Sequence, residues 1–106
     1  MSDLILERAR DTLMAAGIVR TQAEFCEGWL GKSECYLRTL RFNGVEPSAE
    51  ALATLGSRLG YYANELAKRG DTRSNHWAGV LHELRKGTQA ALEQRVRQRW
   101  QQVCSR

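Results

Sequence analysis

What this chain has little of narrows it before any motif is read. It holds one proline, Pro47, and three cysteines, Cys26, Cys35 and Cys104, an odd number with no CxxC pair. That usage argues against a disulfide framework and suits a reducing compartment. No apolar run approaches the length needed to cross a bilayer, and Met1-Ser2-Asp3-Leu4 lacks the basic start and cleavage site of a signal peptide. A cytoplasmic protein is therefore expected. His76 and His82 do not pair on one helix face, and with the three cysteines they form no zinc-ligand spacing. There is no phosphate-cradling glycine loop, no nucleophile elbow and no convergent carboxylate pair. Neither an enzyme nor a bound cofactor or metal is expected.

What is present begins with charge. The chain of 106 residues is long enough for one core and carries a net +4. Residues 1–50 hold six Lys/Arg against eight Asp/Glu, and residues 51–106 hold ten against four, so a balance of −2 is followed by one of +6. A basic half suggests an acidic partner, of which nucleic acid is the commonest. The plainer alternative is that arginine-rich helix faces are merely solvated.

The most informative stretch is residues 21–44. Thr21 followed by Glu24 makes a capping box that starts a helix. Phe25, Cys26, Trp29 and Leu30 recur at helical spacing and share one face, and Gly31 supplies the left-handed residue that ends it. Ser33 then reads as the cap of a second helix, 33–42, whose inward face is Tyr36, Leu37 and Leu40, and Asn43-Gly44 stops it. Two capped helices around a tight glycine turn form a helix-turn-helix, in which the second helix can enter a DNA major groove.

The pattern Gln22-x-x-Phe25, Leu30-Gly31-Lys32-Ser33 and Tyr36-Leu37-x-x-Leu40 resembles the Cro/phage-repressor-like (lambda-repressor-like, XRE-type) helix-turn-helix proteins. The similarity covers roughly residues 5–67, and its specific part lies at 21–44. In that superfamily a glutamine opens the first helix, a glycine makes the turn and a serine starts the recognition helix. The usual alanine of the first helix is here Cys26 or Glu27, depending on register. The resemblance implies that Ser33, Glu34, Cys35, Arg38, Thr39 and Arg41 lie at the presented surface, with base contacts from the start of the helix and from one turn later. Gln22 and Lys32 are candidates for phosphate contacts. Arginine forks suit guanine edges, whereas Glu34 repels phosphate but can accept from a cytosine amino group. The plainer reading of Arg38 and Arg41 is surface pairing with Glu34 or an aspartate, and Phe42 reads as a buried aromatic at a helix end.

The flanks fit an all-α fold: a helix-turn-helix core of about four helices followed by one or two C-terminal helices. A first helix of about 3–16, capped by Ser2 with Asp3 near its positive end, carries the stripe Leu6, Ala9, Leu13 and Ala16. Gly17 ends it and Ile18-Val19 tuck under the turn. Ser48 caps a helix of about 49–68 with Leu52, Leu55, Leu59, Tyr62 or Ala63, and Leu66 inward. Its Gly56 and Gly60, four apart, mark close helix packing. Gly70-Asp71-Thr72-Arg73-Ser74 is the best boundary, dividing a DNA-binding domain, 1–70, from a basic helical extension, 71–106. There Ser74 or Asn75 caps a helix of about 75–86, Gly87-Thr88 interrupts or kinks it, and a last helix runs to about 103.

On that last helix Leu92, Val96, Trp100 and Val103 form a narrow apolar stripe among Arg95, Arg97 and Arg99. Such a stripe packs on the edge of its own domain or pairs with a copy of itself. The reading is a small dimeric transcriptional regulator that binds double-stranded DNA in a sequence-specific manner. Two other classes remain: an adaptor or antitoxin-like interaction module gripping a partner with its C-terminal helices, and a non-specific basic DNA-coating protein.

Overall fold

Five helices and no strand occur in the computed structural model, which describes residues 2–104 and the side chains from Ile5 onward. They are α1 (Ser2–Ala15), α2 (Gln22–Trp29), α3 (Tyr36–Asn43), α4 (Ala49–Arg69) and α5 (Thr72–Cys104). The capping roles expected of the Ser2 and Asp3 side chains lie outside the described residues. Four helices of the core and one C-terminal helix therefore make an all-α protein.

The local signals act where they stand in the chain. Thr21 is extended and its hydroxyl accepts from the Glu24 N–H at 3.1 Å, while Ser48 does the same for the Ala51 N–H at 3.1 Å. Each such cap stabilises its helix by about 1 kcal/mol. At the end of α1 the Ile18 N–H returns to the Leu13 carbonyl at 3.0 Å and that of Gly17 to Met14 at 3.1 Å. That pair of bonds satisfies carbonyls the last turn would otherwise leave open and drops Val19 into the core. Gly31 takes φ +67°, a region side chains resist, and lets the chain turn sharply after α2.

The core is a single cluster. Leu6, Ala9 and Leu13 of α1, Phe25, Cys26 and Leu30 from the α2 region, and Leu52, Leu55 and Leu59 of α4 are fully or almost fully enclosed. Leu37 and Leu40 of α3 join them, as do Ala78, Leu81 and Leu84 of α5. Burying each leucine contributes about 1.5–3 kcal/mol, which is why α2 and α3, eight residues apiece, hold helical form.

Three expectations are corrected. The second helix of the motif begins at Tyr36, not at Ser33: the Ser33 carbonyl accepts from the Tyr36 N–H at 3.1 Å in a tight turn, and no side chain caps α3 at Cys35. A six-residue connection, 30–35, thus replaces a short turn. The chain after residue 71 is one helix of 33 residues, unbroken at Gly87-Thr88. Thr88 stays helical because its hydroxyl donates to the Leu84 carbonyl at 2.8 Å inside the core, and Gly87 gives room to Ile5 of α1, whose Cδ1 lies 3.0 Å from where a Cβ would be. The cap of α5 is Asp71, whose carboxylate accepts from the Ser74 N–H at 3.0 Å, rather than Ser74 or Asn75. Ser74 is itself buried.

α4 and α5 form the longest packing in the molecule, an antiparallel pair joined at Gly70-Asp71. Gly56 and Gly60 face Thr88 and Arg85 across it. The approach is close at Gly60, where a Cβ would lie 2.9 Å from Arg85 Nε, and ordinary at Gly56, where it would meet Thr88 at 3.6 Å.

Candidate nucleic-acid interface

α3 is held by what it buries and by one tether. Leu37 and Leu40 point into the core, and the Tyr36 hydroxyl accepts from the Ser48 N–H at 3.0 Å, fixing α3 to the start of α4. Those anchors leave Arg38, Thr39, Arg41 and Phe42 on the open face. Ser33 and Glu34 are exposed in the connection before α3, and Cys35 is half-buried at its start. The Val45 N–H closes the other end onto the Leu40 carbonyl at 3.1 Å.

Gln22 sits at the start of α2 and meets this face. Its side-chain oxygen accepts from Arg10 Nη1 at 2.7 Å, which leaves its NH2 group as the donor available to a ligand. Arg10, Gln22, Leu37, Arg38 and Arg41 line one shallow depression of about 160 Å³. Of its three guanidinium groups, Arg10 pairs with Asp11 at 2.9 Å and Arg41 with Glu7 of α1. Arg38 makes no ion pair among the described residues. The plainer alternative for Arg38 and Arg41 in the sequence is pairing with Glu34 or an aspartate; Arg41 pairs with Glu7 of α1, which packs beside α3.

The remaining candidates divide. Lys32 leans over the Tyr36 ring, 5.8 Å from its centroid, and pairs with Glu50 of α4 at 3.4 Å. It belongs to the flank where α4 begins rather than to the Gln22–Arg38 depression. Phe42, expected to be buried, is 89% exposed, because the inward positions at that end of α3 are already taken by Leu37 and Leu40. Arg10 and Glu7 were not singled out for this surface. Nothing local in the sequence marks them, since their partners lie 12 and 34 residues away.

Burial pushes the Cys26 thiol above its ordinary range, which keeps it protonated and inert at neutral pH. Among the described residues no group of three or more His, Cys, Asp or Glu is placed to hold a metal ion, and no helix is long and apolar enough to cross a membrane. On α5, Leu92 is half-buried against the core, whereas Val96, Trp100 and Val103 are exposed.

Fold and surface together define a five-helix, all-α protein with a short α3 that leaves one face open and a long C-terminal helix. The chain belongs to a family of unknown function, DUF6626, whose match runs over residues 6–101 and so takes in all five helices. No curated protein and no solved structure matches it.

Proposed function

We propose that this protein binds double-stranded DNA and reads its sequence with α3, acting as a small transcriptional regulator. One observation carries the reading: α3 buries Leu37 and Leu40 and offers Arg38 and Thr39 outward, beside a Gln22 amide and two further arginines around a common depression. That is the chemistry a duplex asks for. Gln22, Arg10 and Arg41 suit phosphate oxygens, which position a reader without specifying sequence. Arg38, which makes no ion pair among the described residues, suits the O6 and N7 of guanine, a contact worth about 1–3 kcal/mol in discrimination. The resemblance of residues 21–44 to Cro/phage-repressor-like proteins suggests the same face, although the connection 30–35 is longer than the tight turn that resemblance implies.

The test is selection from random DNA by the purified chain at near-physiological salt, followed by sequencing. Enrichment of a short motif, relaxed at one or two positions by Arg38→Ala, is the expected result. Binding without enrichment that vanishes as salt rises leaves only electrostatic attraction and overturns the reading. In that event the exposed apolar residues of α5 favour a protein-interaction module instead.

A further inference from the structure

Among the described residues Phe42 is the most exposed large apolar side chain, at 89%. The helical period fixes its place on α3. Successive residues turn by about 100°, so position 42 points almost directly away from the inward direction midway between Leu37 and Leu40. Arg38 and Thr39, one turn earlier, flank that outermost line, about 40° to one side of it and about 60° to the other. Phe42 thus stands at the middle of the face that α3 leaves open. The fold makes no use of the ring: neither the core cluster nor any ring contact among the described residues includes it.

We propose that Phe42 is a specificity-determining residue, its ring packing on the C5 methyl group of a thymine in the major groove. The inference rests on the DNA-binding reading and goes beyond it by naming a base. The smallness of the apolar patch selects this occupant. Between residues 30 and 48 the exposed large apolar side chains are Phe42 and Val45, the latter 50% exposed, among Arg38, Thr39, Arg41 and Asn43. A protein partner or a second copy needs roughly 800 Å² from each side, far more than one ring and a half-exposed valine offer. A duplex asks for less. The edges of its bases in the major groove are hydrogen-bonding groups interrupted by single thymine methyls, which apolar side chains mark by contact. One aromatic ring set among arginine and threonine side chains matches that pattern. Cytosine carries hydrogen where thymine carries the methyl, so the ring tells the two apart by contact area alone.

Position relates this base to the one Arg38 reads. The two side chains leave α3 four residues apart, about 6 Å along its axis, and base pairs stack about 3.4 Å apart. The thymine therefore lies within about two base pairs of the position that Arg38 specifies.

The experiment uses the full chain and the duplex enriched by selection. Each thymine is replaced in turn by uracil, which removes the C5 methyl and leaves every hydrogen-bonding group in place. At one thymine, within about two base pairs of the position relaxed by Arg38→Ala, the change weakens binding about fourfold, the loss of one buried methyl. Phe42→Ala binds the thymine and uracil duplexes equally there and keeps its preference at the Arg38 position. Because Phe42 is almost wholly exposed, this variant retains the helical circular dichroism and Tm of the parent. An enriched motif in which no thymine near that position responds to uracil, or a methyl dependence that survives Phe42→Ala, overturns this inference and leaves the DNA-binding reading standing. A selection that enriches no sequence overturns both. A change in the sedimentation of the DNA-free chain on Phe42→Ala assigns the ring to a contact between copies and overturns the inference as well.

Discussion

Gly56→Ala probes the α4–α5 contact at a point where helix propensity and packing pull in different directions. Glycine inside a helix is less favourable than alanine by about 1 kcal/mol, so the substitution stabilises the chain wherever there is room for a methyl group. A Cβ built on Gly56 meets Thr88 Cγ2 at 3.6 Å, an ordinary van der Waals distance. The methyl is also buried, which adds up to about 0.8 kcal/mol. A gain of about 1–1.5 kcal/mol is expected, and each kcal/mol raises Tm by about 4–8 °C in a domain near this size. Gly60→Ala is the matched comparison. There a Cβ meets Arg85 Nε at 2.9 Å and Cζ at 3.1 Å, so the guanidinium must move. Its Nε is buried without a hydrogen-bond partner, so moving it breaks no bond, yet the packing of the Arg85 stem is lost. The gain at Gly60 is therefore smaller than at Gly56. Calorimetry and urea unfolding of the two variants measure both the sign and the order. A fall in Tm for Gly56→Ala, or a larger gain for Gly60→Ala, refutes the packing described for this interface.

Three further outcomes are expected. Thr21→Ala removes the hydroxyl that accepts from the Glu24 N–H and lowers stability by about 1 kcal/mol in urea unfolding, whereas Thr21→Ser restores most of it. The hydroxyl and N–H of Ser74 hold the Asp71 carboxyl below the usual carboxylate range, so its stabilising contribution is present above the ordinary pKa and is lost as pH falls through the lower, folded value. Asp71→Asn keeps an accepting oxygen without the titration and flattens the acid limb of a urea-midpoint profile below about pH 4. Under the DNA-binding proposal, Arg38→Ala relaxes base preference, whereas Arg95→Ala weakens all sequences about equally and lowers the salt slope by roughly one if Arg95 meets a phosphate, both read by equilibrium binding across a salt series.

How far the sequence spoke for itself depended on how local each cause was. Thr21, Ser48, Gly31 and Gly44 act on backbone groups within a few residues, and each starts or ends a helix where its chemistry implies. The leucines of α4 read correctly because their period needs no knowledge of what covers them. Ser33 misled because its hydroxyl and its carbonyl offer the same turn two ways of forming, and the carbonyl, bonded to the Tyr36 N–H, is the one used. Gly87-Thr88 looked like a break because helix propensity ignores α1: Gly87 admits Ile5, and Thr88 satisfies its hydroxyl on its own helix. Of the candidate surface, Gln22, Arg38 and Arg41 were legible and come together. Arg10 and Glu7 were not, since only tertiary packing sets α1 beside them. Phe42 was misjudged for a related reason: apolar character does not say which side of α3 faces the core.

Under the DNA-binding proposal, the charges bear on where attraction and reading would arise. Around α3 two of the three arginines are ion-paired, Arg10 with Asp11 and Arg41 with Glu7, so this surface carries little net positive charge of its own. The surplus of Lys and Arg lies after residue 50, and Arg95, Arg97 and Arg99 fall within a few residues on the distal part of α5. Of these, Arg95 pairs with Glu46 and Arg97 with Glu93, and the helical period turns Arg97 away from the face that carries Arg95 and Arg99. Under the DNA-binding proposal, general attraction comes from the basic α5 and specificity from α3. Trp100→Glu, which adds a negative charge to that helix, should then lower affinity for every DNA sequence while base preference stays as it was. Loss of base preference in Trp100→Glu would mean that the reading surface lies in α5 and not in α3.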